Sequence, residues 1–420
     1  MICKSTLNIL LITDFFPYAF SEQFLETEVK YYKDCNVTIM PQHYKDTYRD
    51  IDNTNVKVDN LLIKKSTLLQ KNKLLNTLKI FLSMYFIKEF LSQNLYVIKK
   101  LKSFRASMLH YYHYYNLFDN YFSSQNNLDN LIVYTYWNNE ATYALQTLKQ
   151  KYGYSLVSRI HGYDLYMERR NTSYMPLKSQ FTHNIDKIFT ITNTASEYLI
   201  NKYNFSNKTL ELSRLGVEDR NIISSFNKKN VLNIVSCSFL TEIKQVHKIP
   251  EALVVLAKKH PKINYKWTHI GDGELYLSTS NLAENLFTNL NNVEYSLVGR
   301  MDNENVYEYY KQNNIDVFIN VSKSEGVPVS IMEAMSCHIP IIAPNIGGIS
   351  DMVINETNGV LLSSKCYVNE IVAALEKVEY FKSERVRTGS YKIFLDNYNA
   401  KINYPLFIEN LKFLTFSNKV

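Results

Sequence analysis

The sequence predicts an α/β protein made of two doubly wound, Rossmann-like domains facing a central cleft. Three observations predict this architecture: short apolar runs alternate with helical stretches, the alternation stops near residues 216–230, and it then restarts. Strands that are buried on both faces read as continuous apolar runs, which is typical of parallel sheets covered by helices. A chain of 420 residues is long enough for two to three domains.

The first half carries six strand candidates and one long helical stretch. The candidate strands are residues 7–13, 37–40, 56–58, 131–135, 156–160 and 188–192. Residues 66–118 repeat Leu, Ile and Phe at three- and four-residue steps, which predicts helix. We therefore expect an N-terminal domain over residues 1–215, followed by a polar linker over 216–230.

The second half repeats the alternation of strand and helix. Strands are expected at 232–237, 264–270, 293–298, 317–320 and 339–343, and helices at 247–260, 306–312, 329–337, 367–379 and 382–395. These elements predict a second domain over residues 231–395, which binds its ligand at the carboxyl ends of its strands. The amphipathic tail, residues 396–420, is expected to pack back on the first domain.

Composition excludes several classes of protein. Apolar residues make up 46% and charged residues 21%, which excludes a disordered or collagen-like chain. The five cysteines lie far apart without a Cys-x-x-Cys pair, so we expect neither a structural zinc site nor secretion. The apolar run at 7–12 is too short for a signal peptide and the window 74–87 too short for a membrane span. These features predict a cytoplasmic protein.

Charge is concentrated in one segment of the chain. Residues 61–110 contain ten Lys and Arg residues against Glu89 alone, a net charge of +9 in a chain whose total is +7. This distribution argues against a nucleic-acid-binding protein. Aromatic residues interleave with the lysines, and this composition is typical of a helix at an anionic membrane surface. Solvated charge is the alternative interpretation, because charge runs most often form solvated faces.

Glycine is scarce except in one region. The chain has 11 glycines, and seven of them lie between residues 271 and 359. A glycine that persists in such a sequence indicates a backbone position that other residues do not tolerate. The seven are Gly271, Gly273, Gly299, Gly326, Gly347, Gly348 and Gly359.

The densest motif follows the strand expected at 317–320. Residues 324–335 read Ser-Glu-Gly-Val-Pro-Val-Ser-Ile-Met-Glu-Ala-Met, and Pro328 suits the first turn of a new helix. The N–H groups at the start of a helix form a favourable site for phosphate. Glu325 and Glu333 would repel a phosphate, so they are better suited to hydroxyl groups on either side of it.

These residues resemble the signature of the retaining nucleotide-sugar glycosyltransferases of family GT4, which have the GT-B fold. Further segments resemble the family in the same order: 213–217, 235–244, 270–274, 297–300, 347–351 and 358–361. The resemblance implies catalytic roles for Lys244 and Glu325. It implies a donor-binding site formed by Gly271, Gly299, Arg300, Gly326, Val327, Pro328, Val329 and Glu333.

The first half resembles the family more loosely. Residues 159–164, Arg-Ile-His-Gly-Tyr-Asp, resemble its His-Gly-x-Asp element, which implies a catalytic role for His161. Asp164 is expected to be a helix N-cap. Residues 14–26 resemble the opening loop of bacterial surface-polysaccharide enzymes. Phe239 stands where many members have arginine, so Arg300 or Arg159 is expected to supply the missing positive charge.

The resemblance implies transfer of a sugar with retention of configuration. The second domain binds the donor, a UDP- or GDP-sugar, and the first domain lies on the acceptor side. The acceptor is a glycan that polyprenyl diphosphate carries at the inner membrane face, and neither metal nor other cofactor is required. The product belongs to capsule, exopolysaccharide or O-antigen synthesis.

Two alternative functions stay open. One is a GT-B sugar-nucleotide epimerase, and the other is an inactive GT-B subunit that binds a partner enzyme. An inactive subunit would be expected to lose one of the paired glutamates, so the presence of Glu325 and Glu333 argues against it.

Overall fold

The structure is a computed structural model that describes residues 6–19, 21–65, 80–93, 95–125, 128, 130–226 and 230–417. It divides into two compact units. One contains the residues up to Leu215 together with those from Ile402 onward, and the other contains Gly216–Lys401.

The first unit is built on a sheet of seven parallel strands. The strands are β1 (Leu7–Thr13), β2 (Cys35–Pro41), β3 (Val56–Val58), β4 (Leu131–Thr135), β5 (Ser155–Ile160), β6 (Lys187–Thr190) and β7 (Leu210–Leu212). Their order is β3-β2-β1-β4-β5-β6-β7. In β1, Leu10 is paired with Thr38 of β2 on one side and with Val133 of β4 on the other. All but one of its residues are buried, which is why it reads as a continuous apolar run.

Helices connect these strands. They are α1 (Phe24–Glu28), α2 (Leu61–Lys65), α3 (Met84–Gln93), α4 (Leu95–Lys99), α5 (Leu101–Ser123), α6 (Glu140–Tyr152) and α7 (Asn193–Tyr203). Asn139 caps the start of α6 by accepting the Ala141 N–H, and Gly153 ends it in the left-handed conformation. The stretch expected to be one helical region, 66–118, contains α3, α4 and most of α5, and residues 66–79 lie outside the described residues.

The second unit is built on a sheet of six parallel strands. They are β8 (Val231–Cys237), β9 (Asn264–Ile270), β10 (Val293–Leu297), β11 (Val317–Ile319), β12 (Ile341–Pro344) and β13 (Gly359–Leu362), in the order β10-β9-β8-β11-β12-β13. The helices are α8 (Lys248–Lys259), α9 (Tyr276–Phe287), α10 (Asn303–Gln312), α11 (Val329–Ser336), α12 (Val368–Leu375), α13 (Val378–Lys382) and α14 (Glu384–Asn397). The prediction of an α/β protein with two Rossmann-like sheets is confirmed.

Among the elements that the sequence did not predict are α9, β7 and β13. The two strands have only three and four residues, too few for a clear pattern of apolar positions. In α9, polar Ser, Thr and Asn side chains interrupt the apolar positions.

The last helix of the chain, α15 (Ala400–Ser417), packs on the first sheet. Its Phe407, Ile408 and Leu411 belong to the same buried cluster as the β1 residues Leu7, Ile9 and Leu11. A second cluster contains Leu10 of β1 together with residues of α5 and α6. Because successive residues of a strand point to opposite faces, the seven-stranded sheet is covered on both faces. Residues from the end of the chain complete one of its cores.

Residues 216–226, which the sequence predicts to be part of a linker, are hydrogen-bonded along the second unit. Val217 exchanges backbone hydrogen bonds with Tyr398 and Ala400, and the Ser224 N–H donates to the Cys337 carbonyl over 3.1 Å. The segment is thus a fixed part of that unit. Every helix in the described part of the chain is too short or too polar to span a bilayer.

Candidate functional site

Lys244 and Glu325 contact each other in the second unit. The loop after β8 ends in a short 3-10 turn, Glu242–Lys244, which presents Lys244 toward the loop after β11. Lys244 Nζ lies 2.6 Å from Glu325 Oε1. The two loops are joined through their backbones as well, because the Lys323 N–H donates to the Ile243 carbonyl over 2.7 Å. Two residues singled out from distant parts of the sequence therefore form an ion pair.

Glu325 also receives hydrogen bonds from its own loop. Ser322 Oγ donates to Glu325 Oε1 over 2.6 Å, and Asn320 Nδ2 donates to the same oxygen over 3.2 Å. Only 9% of the Glu325 side chain is exposed, against 22% of Lys244. The carboxylate is thus fixed in place, while the lysine keeps access to solvent. Sequence reasoning missed Asn320 and Ser322, although both closely follow a buried strand.

Gly347 lets the loop after β12 lie directly on the loop that carries Glu325. It has a φ of +54°, and a Cβ atom at this position would lie 2.0 Å from the Glu325 carbonyl oxygen. The neighbouring Gly348 N–H donates to the Gly326 carbonyl over 2.8 Å. Close backbone approach and a left-handed conformation together explain why glycine is kept here.

The helix α11 begins directly after this loop. Val327 is buried, and Pro328, with a φ of −73° and a ψ of 122°, is the residue that precedes the helix. The expectation that Pro328 lies in the first helical turn was therefore wrong by one position, and Val329 is the first helical residue. An extended proline here sets the direction in which the chain enters the helix.

Glu333 lies on α11 and is buried. Asn303 Nδ2 donates to Glu333 Oε1, and the Asn303 side-chain oxygen accepts a hydrogen bond of 3.1 Å from Arg220. The Arg220 guanidinium stacks 4.5 Å from the centre of the Tyr307 ring. Burial raises the pKa of Glu333 to about 7, although the Asn303 hydrogen bond and the charge of Arg220 act to lower it. Arg220 lies in the segment expected to be a linker, so sequence reasoning missed it.

Gly271 and Gly299 join the turns after β9 and β10. The Gly271 N–H donates to the Gly299 carbonyl over 2.8 Å. Gly271 has a φ of +144°, and a Cβ atom there would lie 1.9 Å from the Ser238 carbonyl oxygen. Arg300, directly after this turn, is exposed, as is Phe239, which stands where many members of the family that the sequence resembles have arginine.

The predicted residues of the second unit share one edge of its sheet. Lys244 follows β8, Gly271 follows β9, Gly299 follows β10, and Glu325 follows β11. Carboxyl ends of neighbouring parallel strands meet at the same edge, which is where open α/β sheets bind ligands. Burial raises the pKa of Cys237, the last residue of β8, to about 12. The charge of Glu333 adds to this shift and the charge of Lys244 opposes it.

His161 follows β5 at the corresponding edge of the first sheet. Its ring lies 4.5 Å from the ring of Tyr136 and 4.6 Å from that of Trp137. Neither ring nitrogen has a hydrogen-bond partner within the part of the chain that the structure describes. Burial, helped by the charge of Arg159, lowers the pKa of His161 well below its usual value, so the imidazole is neutral at pH 7.

Asp164 holds the backbone around His161. Its carboxylate accepts the N–H groups of His161, over 2.7 Å, and Asn138, over 2.8 Å. No helix begins at this residue, so its prediction as a helix N-cap was wrong. Lys178 is almost fully buried beside it and donates to the carbonyl oxygens of Asp164 and Asn138. Burial lowers the pKa of Lys178 to about 8, against the attraction of Asp164.

Arg159 is part of the core of the first unit. Its guanidinium is fully buried, pairs with Glu28 over 2.5 Å and lies 4.2 Å from the centre of the Phe407 ring. Burial alone would lower the pKa of Arg159, but the charge of Glu28 raises it above its usual value. The expectation that Arg159 supplies a phosphate-binding cation was wrong, because its charge is already neutralised inside the protein. Arg300 remains the candidate.

The opening loop after β1 is organised around Glu22. The Glu22 carboxylate accepts the backbone N–H groups of Asp14, Phe15 and Phe16 over 2.7–2.9 Å. It also accepts a hydrogen bond of 2.8 Å from Trp137 Nε1–H. A side-chain carboxylate thus occupies the anion-binding amides of this glycine-free loop.

Potential metal ligands are scattered rather than grouped. Within the described ranges, no group of three or more His, Cys, Asp and Glu side chains is arranged to hold a metal ion.

Comparisons with known proteins agree with this geometry. Residues 218–393 match the family described as Glycosyl transferases group 1. An uncharacterized glycosyltransferase of Methanocaldococcus jannaschii is 26% identical over 243 residues, which cover 57% of this chain and 62% of that protein. The O-antigen biosynthesis glycosyltransferase WbnH of Escherichia coli is 27% identical over 176 residues, which cover 41% of this chain and 46% of that protein. The chain thus spans roughly half the length of these relatives.

Solved structures of similar fold cover nearly the whole chain. The apo form of the lipopolysaccharide outer core galactosyltransferase WaaB has a TM-score of 0.69 and 15% identity, covering 97% of this chain and 99% of that one. HepE of Anabaena in complex with UDP has a TM-score of 0.59 and 14% identity, with the same coverage. Residues 218–393 are therefore similar to the glycosyl transferases group 1 family, and the two Rossmann-like units have the GT-B fold of these solved structures.

Proposed function

We propose that the protein is a retaining glycosyltransferase. It moves a sugar from a nucleotide-diphosphate sugar to a hydroxyl group of a glycan acceptor in bacterial capsule, exopolysaccharide or O-antigen synthesis. The observation that carries this proposal is the Lys244–Glu325 ion pair, which lies with the buried Glu333 at the carboxyl edge of the second sheet. Among the relatives, WbnH acts in O-antigen biosynthesis and AmsK of Erwinia amylovora in amylovoran biosynthesis. HepE has been solved with UDP and with UDP-glucose.

The donor is proposed to bind along this edge. Glu333 accepts hydrogen bonds from the ribose hydroxyls, with its carboxylate held in place by Asn303. The diphosphate lies at Lys244 and the N-terminus of α11, where unpaired N–H groups favour negative charge. Lys244 neutralises Glu325 in the free chain, and a diphosphate would attract the same ammonium group because it carries more negative charge.

The transfer needs no nucleophile from the enzyme. The bond between the anomeric carbon and the diphosphate oxygen breaks, and the acceptor oxygen bonds to that carbon on the same face. The departing diphosphate oxygen takes the acceptor's proton, so charge and atoms balance. Catalysis is then positioning together with stabilisation of the leaving group, for which Lys244 and the start of α11 are suited. Such a reaction is metal-independent.

His161 is proposed to contact the transferred sugar or the reacting centre. A neutral imidazole offers one N–H donor and one acceptor nitrogen, and neither is used by the described residues of the protein. Tyr136 and Trp137 fix the plane of the ring, and Asp164 fixes its backbone. A buried, preorganised and unpaired polar group is suited to a ligand that supplies the missing hydrogen bonds.

Thermal unfolding in the presence of nucleotide sugars tests the donor class. A panel of UDP-, GDP- and ADP-sugars is compared at equal concentration. A ligand present at 100 times its dissociation constant stabilises the folded protein by about 2.7 kcal/mol. We expect stabilisation by UDP- or GDP-sugars, and a chain that none of the panel stabilises would contradict the proposal.

Glu325→Ala separates sugar recognition from nucleotide binding. We expect the variant to lose most of its transfer activity while its affinity for the free nucleoside diphosphate stays nearly unchanged. Glu308→Ala, which removes an exposed carboxylate on α10, is the matched control and should keep both. Equal losses of transfer and nucleotide binding would mean that Glu325 supports the loop rather than the sugar.

The acceptor is proposed to be carried by a polyprenyl diphosphate, with the enzyme peripheral to an anionic membrane through residues 61–110. The helix α3 supports this, because its Met84 and Leu91 are 62% and 72% exposed, and Ile87 and Lys88 are exposed as well. Glu89, the only acidic residue of the segment, is buried and accepts hydrogen bonds from neighbouring loops. The exposed surface of α3 therefore combines apolar side chains with the basic Lys88 and has no acidic side chain. Lys71 and Lys73 lie outside the described residues.

Co-sedimentation with liposomes tests the membrane proposal. Each basic residue near an anionic bilayer contributes about 1 kcal/mol, so binding should be strong at low salt and weak at high salt. Replacing Lys88, Lys99 and Lys102 by glutamine should weaken it by about two orders of magnitude. Replacing the exposed Lys258 and Lys262 of the second unit should not. No binding to anionic liposomes at low salt would refute membrane association and leave the transferase proposal standing.

A further inference from the structure

Three tyrosines, one half-buried and two exposed, form a cluster at the carboxyl ends of β1 and β2. Tyr18 lies in the loop after β1, and Tyr44 and Tyr48 lie in the loop after β2. The ring of Tyr18 is 4.9 Å from that of Tyr44 and 5.5 Å from that of Tyr48. Tyr44 is 54% exposed and Tyr48 is 52% exposed. We call these three residues the aromatic platform, and exposed aromatic surface at the ligand edge of a sheet indicates recognition.

The platform is held rigidly although it is exposed. Arg49, directly after it, is buried and pairs with Glu26 over 2.6 Å, and it donates to the Ser21 carbonyl over 2.5 Å. The Arg49 N–H also donates to the Pro17 carbonyl, which ties the loop after β2 to the loop after β1. Tyr18 is fixed by hydrogen bonding with Asn60. Preorganised aromatic rings lose little entropy when a ligand packs on them.

The two loops that carry the platform also carry polar side chains. His43 Nε2 lies 3.3 Å from Asp14 Oδ1, and both side chains are more than a third exposed. Glu22 already occupies three backbone N–H groups of the loop that could bind an anion. Two carboxylates, together with loop amides that are already bonded, disfavour a phosphate here. The combination favours an uncharged ligand with an apolar face and several hydroxyl groups.

We propose that the aromatic platform binds a pyranose ring of the acceptor glycan. The C–H face of the sugar packs on Tyr44 or Tyr48, and its hydroxyls exchange hydrogen bonds with Asp14 and His43. Trp137 connects the platform's loop to His161, since it donates to Glu22 and its ring lies 4.6 Å from that of His161. This inference rests on the proposed function and adds how the acceptor is recognised.

Saturation-transfer NMR on the full-length chain tests the platform directly. The probes are the methyl glycosides of glucose, galactose, N-acetylglucosamine, mannose and rhamnose, measured with UDP or GDP in excess, whichever nucleotide class stabilises the chain. We expect at least one glycoside to receive saturation from the protein. The double variant Tyr44→Ala with Tyr48→Ala should weaken that binding by about three- to tenfold.

Two further variants distinguish ring packing from other causes. Tyr44→Phe with Tyr48→Phe keeps both rings and should keep binding, and Tyr367→Ala removes an equally exposed tyrosine of the second unit without effect. No saturation of any glycoside in the wild type would overturn the proposal, as would unchanged binding in the double alanine variant. Thermal stabilisation by nucleotide sugars reports the donor site alone, so failure of the platform and failure of the proposed function are distinguishable.

Discussion

At the scale of single side chains, burial changes the ionisation of three residues at the edges of the two sheets. Glu333, His161 and Lys178 all lose water on folding, and burial shifts the pKa of each toward the neutral form. Their partners differ, however. Glu333 has an amide donor and Lys178 has three acceptor atoms, while the His161 ring has none among the described residues. His161 is therefore the residue whose ring nitrogens a substrate could supply with hydrogen-bond partners.

The proposed contact of Glu333 with the donor's ribose predicts that nucleotide affinity depends on pH. The ionised carboxylate accepts hydrogen bonds from ribose hydroxyls more strongly than the protonated acid does, and burial raises the pKa of Glu333 to about 7. We expect nucleoside diphosphate affinity measured by calorimetry to fall as pH drops below about 7. Glu333→Gln should weaken binding by about 1–3 kcal/mol at pH 8 and remove this pH dependence. Unchanged affinity in the variant would contradict the role of Glu333.

The same residue affects stability with the opposite trend. The pKa of Glu333 in the folded chain is raised above that in the unfolded chain. The folded state therefore binds the proton more tightly, and the contribution of Glu333 to stability falls as pH rises from about 4.5 to about 7. Denaturant unfolding of wild type and Glu333→Gln across this range should show the difference. Parallel stability curves for the two proteins would contradict it.

Arg159 and Glu28 are coupled as a buried pair in the first unit. Arg159→Met leaves the Glu28 carboxylate buried without its partner, which costs about 3–5 kcal/mol. The double variant Arg159→Met with Glu28→Gln removes both charges and should recover most of that loss. Urea unfolding measures the three proteins, and additive losses in the double variant would mean that the two charges are not coupled.

Loops at the carboxyl ends of strands determine the site at the scale of elements. In the second unit, glycines allow such loops to contact each other through backbone atoms, at Gly271, Gly299 and Gly347. In the first unit, Glu22 and Arg49 perform the same task with side chains. Loops at the carboxyl edges of both sheets are therefore joined to each other, by backbone contacts at glycines in the second unit and by side-chain hydrogen bonds in the first.

Gly347→Ala tests the close approach of two loops. The added methyl group would meet the Glu325 carbonyl oxygen at 2.0 Å and would also be strained at a φ of +54°. Gly153→Ala is the matched control, because its φ is +74° and nothing lies within 4 Å of its Cβ position. We expect the control to lose about 1 kcal/mol from backbone strain and Gly347→Ala to lose clearly more, with weaker nucleotide binding. Equal melting temperatures would refute the contact.

At the scale of the whole molecule, the helix α15 packs on the sheet that contains β1. The helix α15 contributes Phe407 to the core of the first sheet, where its ring lies 5.3 Å from that of Tyr134 and 4.8 Å from that of Phe189. The first unit is therefore formed by two separate stretches of sequence. One face of its sheet is buried by residues of α15.

Phe407→Ala should destabilise the first unit selectively. Loss of a fully buried phenylalanine costs about 3–5 kcal/mol. Native-state hydrogen exchange should show faster exchange in β1 and β4 and little change in β8 and β11. Phe413→Ala, on the same helix but 70% exposed, is the control and should leave exchange unchanged. Faster exchange in both sheets would show that the effect is not confined to one unit.

The sequence by itself determined the fold class, most strands and the residues at the edge of the second sheet. It could do so because continuous apolar runs predict buried parallel strands. In addition, glycine is scarce in this chain, so Gly271 and Gly347 indicate positions where the backbone conformation requires glycine. Only the tertiary structure decided what these residues contact. Lys244 pairs with Glu325, Arg220 reaches Glu333 through Asn303, and Arg159 turns inward to Glu28. Contacts between residues far apart in sequence depend on strand order and loop packing, which local patterns do not encode.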